Sequence, residues 1–182
     1  KIVFALAPFI LALAGCGKGP AGEEAARPLK LDASAAEKVI REMEKDRAET
    51  EEWLRSSPGS YLAAIDRIDF GNKPFLTVGR SKDNDVRLDA PGIEPNHLKV
   101  AVDGDRFRLE AVDGNAQFQA KDAVLREATV GPSSIQVGRF LLRLSHQRFP
   151  AIIVFDPKSP RFKEYKGLKY FPIDLSYRYE VR

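Results

Sequence analysis

The sequence predicts a mainly β protein, a β-sandwich preceded by one N-terminal α-helix, and three observations carry that expectation. From Tyr61 onward the apolar residues come in short or alternating runs of strand length. Gly, Asp and Pro interrupt those runs at close intervals. A single helical segment, rich in charged residues, stands ahead of them at 34–57. With 43% hydrophobic and 30% charged residues, the roughly 150 residues left after a leader and a linker suffice for one modest core.

The first element is the leader. Ile2 to Ala14 form an apolar stretch behind Lys1, and Leu13-Ala14-Gly15-Cys16 places the single cysteine after two small residues. The stretch is long enough for the core of a secretory signal and shorter than the roughly twenty residues that span a bilayer. It resembles a bacterial lipoprotein signal. That resemblance implies a signal peptide over 1–15 and lipidation at Cys16, whose thiol takes the diacylglyceryl group. It places the mature protein in the cell envelope, lipid-anchored. Gly17 in place of an aspartate implies the outer membrane, facing the periplasm, if the host is Gram-negative. Several acyl chains hold a protein stably where one holds it marginally.

Residues 16–33 follow as a tether, with glycine, proline and alanine and no apolar periodicity. Ser34-Ala35-Ala36-Glu37 has capping-box spacing and predicts a helix start at Ser34. Val39, Ile40, Met43, Trp53 and Leu54 supply apolar positions, with Met43 and Trp53 as core anchors. The stretch from Glu42 to Glu52 is polar, so the helix is expected to dock only at its ends, and Ser56-Ser57-Pro58-Gly59 ends it.

The β-rich domain is expected over 60–182. Phe75 to Val78, Val86 to Leu88, His97 to Val102, Arg106 to Val112, Ala123 to Glu127, Ser134 to Val137, Phe140 to Ser145 and Ala151 to Phe155 read as strands. Tyr61 to Ile65 reads equally as helix or strand. Asp103-Gly104 between Val102 and Arg106 predicts a hairpin, because a tight turn needs positive backbone dihedrals.

Charge and cysteine content exclude several classes. One cysteine, committed to lipid, leaves no intramolecular disulfide and no thiol for catalysis, and with only His97 and His146 as imidazoles no zinc site of the usual Cys and His spacing exists. No cofactor is expected. Residues 139–182 carry ten basic against four acidic residues together with nine aromatic ones. In an exported protein that mixture points away from nucleic acid and toward an anionic lipid, an anionic envelope polymer or a protein partner.

Phe75-Leu76-Thr77-Val78-Gly79-Arg80-Ser81, then Asn84-Asp85-Val86-Arg87-Leu88, then His97 resembles the phosphothreonine-binding forkhead-associated domain. The resemblance implies a forkhead-associated-like β-sandwich that presents these loops along one end, with Arg80, Asn84 and His97 as binding residues. A guanidinium fits phosphate oxygens through its fixed fork of donors. Where the family has a serine three residues before the histidine, this chain has Glu94, whose carboxylate repels a phosphate dianion. Asp113-Gly114-Asn115 only loosely resembles the family's later Asn-Gly motif. The alternative role for Arg80 is pairing with Asp85.

Phe155-Asp156-Pro157-Lys158-Ser159-Pro160, Phe162, Gly167-Leu168-Lys169-Tyr170-Phe171-Pro172-Ile173-Asp174 and Tyr177-Arg178 resemble domain-of-unknown-function family 1684, which includes many exported lipoproteins. The likeness runs from about residue 41 to 182. Members continue beyond this point, so it implies an N-terminal part only, and the alternation over Arg178 to Arg182 reads as a strand end. Ser133-Ser134 and Ser145-His146 lack the setting of a nucleophile elbow, and no glycine-rich phosphate loop opens a helix. The expected function is non-catalytic binding or scaffolding. The alternative is a hydrolase of an envelope substrate using His97 or His146 as acid or base.

Overall fold

The computed structural model describes residues 31–177. Cys16 with its leader, most of the tether, and the strand end expected at Arg178 to Arg182 lie outside the described residues.

Helix α1, Ala33–Ser56, starts one residue before the expected site, and its cap is Asp32: the Asp32 carboxylate accepts the Ala35 N–H at 2.8 Å. Glu37, expected to close a capping box with Ser34, instead pairs with Arg41 at 3.4 Å along the exposed face. The Ser57 N–H donates to the Trp53 carbonyl at 3.0 Å, and Pro58 cannot extend the ladder.

Eleven strands follow: β1 Ala64–Asp69, β2 Phe75–Gly79, β3 Val86–Arg87, β4 Leu98–Asp103, β5 Arg106–Ala111, β6 Phe118–Ala120, β7 Ala123–Leu125, β8 Glu127–Val130, β9 Ser133–Val137, β10 Phe140–Ser145 and β11 Ala151–Phe155. They form two sheets, one ordered β1-β11-β10-β9-β6-β7 and the other β3-β2-β4-β5-β8. The pairs are antiparallel except β2 with β3, which run parallel over Val78↔Val86 and Gly79↔Arg87. This is the mainly β sandwich with an N-terminal helix that the sequence predicts.

Alternation in sequence becomes inside and outside in space. Leu76 and Val78, Phe107 and Leu109, Ile135 and Val137, and Phe140, Leu142 and Leu144 all point into one buried core between the sheets. Strand β11 is buried more completely. Its inward Ile152 and Val154 meet the core, while outward Phe155 is covered by the Arg143 guanidinium, 4.7 Å from its ring centre. The hairpin at Gly104 forms with Asp103 facing Arg106, so Gly104 and Asp105 are the loop residues and Gly104 takes φ +57.

Two expectations about α1 are corrected. Met43 and Trp53 are 38% and 40% exposed; the helix buries Leu54 instead, and Trp53 meets Tyr61 edge-on on the surface, with ring centres 5.3 Å apart. The polar middle is not free either. A strap, Tyr165 to Phe171, is bound to it: Glu51 accepts from the Tyr165 hydroxyl at 3.0 Å and from the Leu168 N–H at 2.6 Å, and Arg47 donates to the Phe171 carbonyl at 2.8 Å. The helix therefore holds the C-terminal segment by polar contacts spaced four residues apart on one face. Beyond Phe155 no further strand occurs among the described residues, which contain only the short helix α2, Arg161–Glu164, and a 3₁₀ turn at Leu175–Tyr177.

Candidate functional site

Three loops meet at one end of the sandwich, residues 79–85, 88–97 and 112–117, and they are fastened by backbone groups. Gly79 lies so close to the second loop that a Cβ there would stand 2.2 Å from the Pro95 carbonyl oxygen, which excludes any side chain. The Arg80 N–H donates to Glu94 O at 3.0 Å and the Ser81 N–H to Pro95 O at 3.1 Å. Asn84 extends its amide across the same gap, donating to Pro95 O at 2.8 Å and Ser81 O at 3.1 Å.

His97 ties the second loop to the third. It is 3% exposed. Its Nδ1 accepts the Glu94 N–H at 3.1 Å, and its Nε2 lies 2.8 Å from the Gln117 carbonyl. Those partners assign the proton to Nε2. The Asn96 N–H donates to the Asp113 carboxylate at 2.9 Å, and Arg126 donates to the carbonyls of Asp113, Gly114 and Ala116. Arg126, Pro95 and Gln117 give no signal in the sequence, because what they contribute or bind is backbone carbonyl, which every residue carries.

Asp85 does not pair with Arg80. It turns back beneath the loop, accepting the Thr77 N–H at 2.9 Å and the Thr77 hydroxyl at 3.1 Å and bonding Lys73. Burial alone would raise its carboxyl, but the bonds from Lys73 and Thr77 outweigh it and hold the group below the usual carboxylate range. Arg80 is exposed, and among the described residues its guanidinium has no hydrogen-bond or ion-pair partner. The structure thus separates the three expected binding residues: Arg80 is presented to solvent, whereas Asn84 and His97 spend their polar atoms on the frame.

The two histidines named for hydrolysis lie at opposite ends. Both His97 ring nitrogens are occupied by backbone. His146 packs against Phe107 with the rings tilted by 55° and their centres 5.0 Å apart, and its Nε2 is buried with no partner among the described residues. It lines a shallow groove of about 390 Å³ with Ser133, Ser134, Ser145 and Arg143. Neither imidazole is bonded to a carboxylate among the described residues, so neither has the orienting group that an acid–base pair uses.

Residues 76–127, which contain all three loops, match the FHA domain family. Similar solved structures include the FhaA FHA domain complexed with the intracellular domain of Rv3910, at 22% identity over 44% of this chain and 78% of that one, with a TM-score of 0.34. Another, described as an analysis of phosphothreonine-dependent FHA domain interactions, has 22% identity over 44% and 75%, with a TM-score of 0.34. Mycobacterium tuberculosis EmbR in complex with a low-affinity phosphopeptide has 15% identity over 69% of this chain and 32% of that one, with a TM-score of 0.33. No curated protein matches the chain.

Proposed function

We propose that this chain is a non-catalytic binding protein of the bacterial envelope, anchored through Cys16, and that the loop end of its sandwich grips an anionic segment of a partner protein through Arg80. The observation that carries the reading is the contrast within the site. Asn84 and His97 spend their polar atoms on the frame, and Arg80 alone among the three expected binding residues is exposed without a partner among the described residues. Its backbone is already fixed by the Arg80 N–H bond to Glu94 O, so an arriving anion orders only the side chain. The FHA match over 76–127 supports recognition of a protein ligand. Glu94 favours a singly charged group over a phosphate dianion.

The anchor rests on Leu13-Ala14-Gly15-Cys16, with its resemblance to a bacterial lipoprotein signal, and on the resemblance to domain-of-unknown-function family 1684. Calorimetric titration with one peptide in phosphothreonine, threonine and aspartate forms tests the ligand reading: the aspartate form is expected to bind and Arg80→Ala to weaken it at least about tenfold. Equal affinity of all three forms for the Arg80→Ala chain and the native chain would sink it. Cys16→Ser is expected to abolish palmitate labelling and release the protein from membranes.

A further inference from the structure

We propose that the strap and its approach, Lys158 to Phe171, form a docking surface for an anionic lipid bilayer, so that the domain lies against the membrane to which it is tethered. Phe171 is 88% exposed, Leu168 46% and Tyr170 41%. The same stretch of chain carries Lys158, Lys163, Lys166 and Lys169, all exposed and none in an ion pair among the described residues. Glu164 is the one acid between Pro157 and Phe171.

This exposure does not come from a loose segment. The Phe171 carbonyl is bonded to Arg47, Leu168 to Glu51, and the Arg47 guanidinium lies over the Tyr170 ring at 4.7 Å. Leu168 and Phe171 are therefore presented from backbone fixed against α1, beside Tyr170, whose ring is docked on Arg47 and whose hydroxyl donates to the Arg47 carbonyl at 3.4 Å, with a loss of backbone freedom already incurred on folding. Asp46 and Glu49 of α1 flank Trp53 in a depression of their own. On a helical wheel they sit about 100° and 160° from Arg47, away from the face that holds the strap.

A lipid surface fits this chemistry. Aromatic rings with polar neighbours settle at headgroup depth, lysine stems lie along apolar surface while the ammonium stays in water, and each lysine near an anionic leaflet contributes about 1 kcal/mol. The inference rests on the Cys16 anchor for proximity. The sixteen residues between Cys16 and α1 reach at most about 55 Å, and α1 carries the strap about 21 Å from its own start. The anchor and the strap can therefore touch one bilayer together.

The test uses the full chain with Trp53→Phe and Phe171→Trp, which leaves one tryptophan as reporter at the exposed position. It is mixed with vesicles of phosphatidylcholine, with or without phosphatidylglycerol, carrying brominated acyl chains. The chain is expected to sediment with both vesicle types, and the reporter to be quenched only where phosphatidylglycerol is present. Joint Lys163→Gln, Lys166→Gln and Lys169→Gln is expected to reduce that quenching at least about tenfold without preventing sedimentation. Sedimentation with no quenching, or with quenching indifferent to phosphatidylglycerol, overturns the docking surface and leaves the anchor standing. A chain that stays in the supernatant of both overturns the two together.

Discussion

The two ends of the sandwich each hold a histidine against the core, and their surroundings differ. At the loop end both His97 nitrogens meet backbone, and the loops are joined to one another by Asn84, Arg126 and a close glycine. At the opposite end, where Phe107 follows the Gly104 hairpin, His146 has a buried nitrogen with no partner among the described residues, and Arg148 adopts φ +66 in the left-handed region. A frame that satisfies its own polar groups leaves only its outermost side chains for a ligand, and that is how Arg80 is set apart.

The largest effect that would break this contrast is at the glycines. Gly79→Ala forces Cβ into the Pro95 carbonyl and is expected to destabilise by about 3 kcal/mol or more. Gly104→Ala meets open space and carries only the left-handed backbone penalty, about 1–2 kcal/mol. Urea unfolding of the pair measures the difference, and equal losses would show that the loops are not in fixed contact. The histidines come next. His97→Ala leaves Gln117 O and Glu94 N unpaired around a small cavity and is expected to destabilise by about 3 kcal/mol. His146→Phe keeps the ring against Phe107, removes the orphaned nitrogen and is expected to stay within about 1 kcal/mol of the native chain.

A smaller effect depends on pH. Near the loop end Arg139 donates to both Asp156 oxygens, at 3.0 and 2.9 Å, and Lys158 N–H adds a third bond at 2.8 Å. The Arg139 bond first, then the Lys158 amide, hold the Asp156 carboxyl below its usual value against the opposing effect of burial. A carboxyl lowered on folding contributes stability above its unfolded value of about 3.9, and that contribution is lost as pH falls through the folded value. Unfolding midpoints measured from neutral pH downward are expected to drop in that acid window, and to drop less in Arg139→Gln.

Much of the fold was legible because alternation is a strong signal: β5 reads Arg-Phe-Arg-Leu-Glu-Ala and buries Phe107 and Leu109. Strands β1, β6 and β8 were not, since Ala64–Asp69 carries three charged residues among six, Phe118–Ala120 is only three residues and β8 turns Ala128 and Val130 inward without a large side chain. The helix cap was misplaced because Asp32 and Ser34 are both good caps, and only the backbone decides between them. Glu51 looked like a solvated charge because its partners, Tyr165 and the Leu168 amide, lie more than a hundred residues away. At the site, residue types marked Arg80, Asn84 and His97. Which of them faces outward depends on the Pro95 and Gln117 carbonyls, and side-chain spacing carries no record of those.

The central claim is that Arg80 is the ligand contact on a frame built by Asn84 and His97. An NMR titration with the aspartate peptide tests it most directly. The account predicts that shift changes concentrate at Arg80 to Asp83 and Glu94 to Asn96, that Arg80→Ala abolishes them, and that its unfolding free energy stays within about 0.5 kcal/mol of native. Shift changes centred on His146 and the opposite groove, or unaltered by Arg80→Ala, would contradict it.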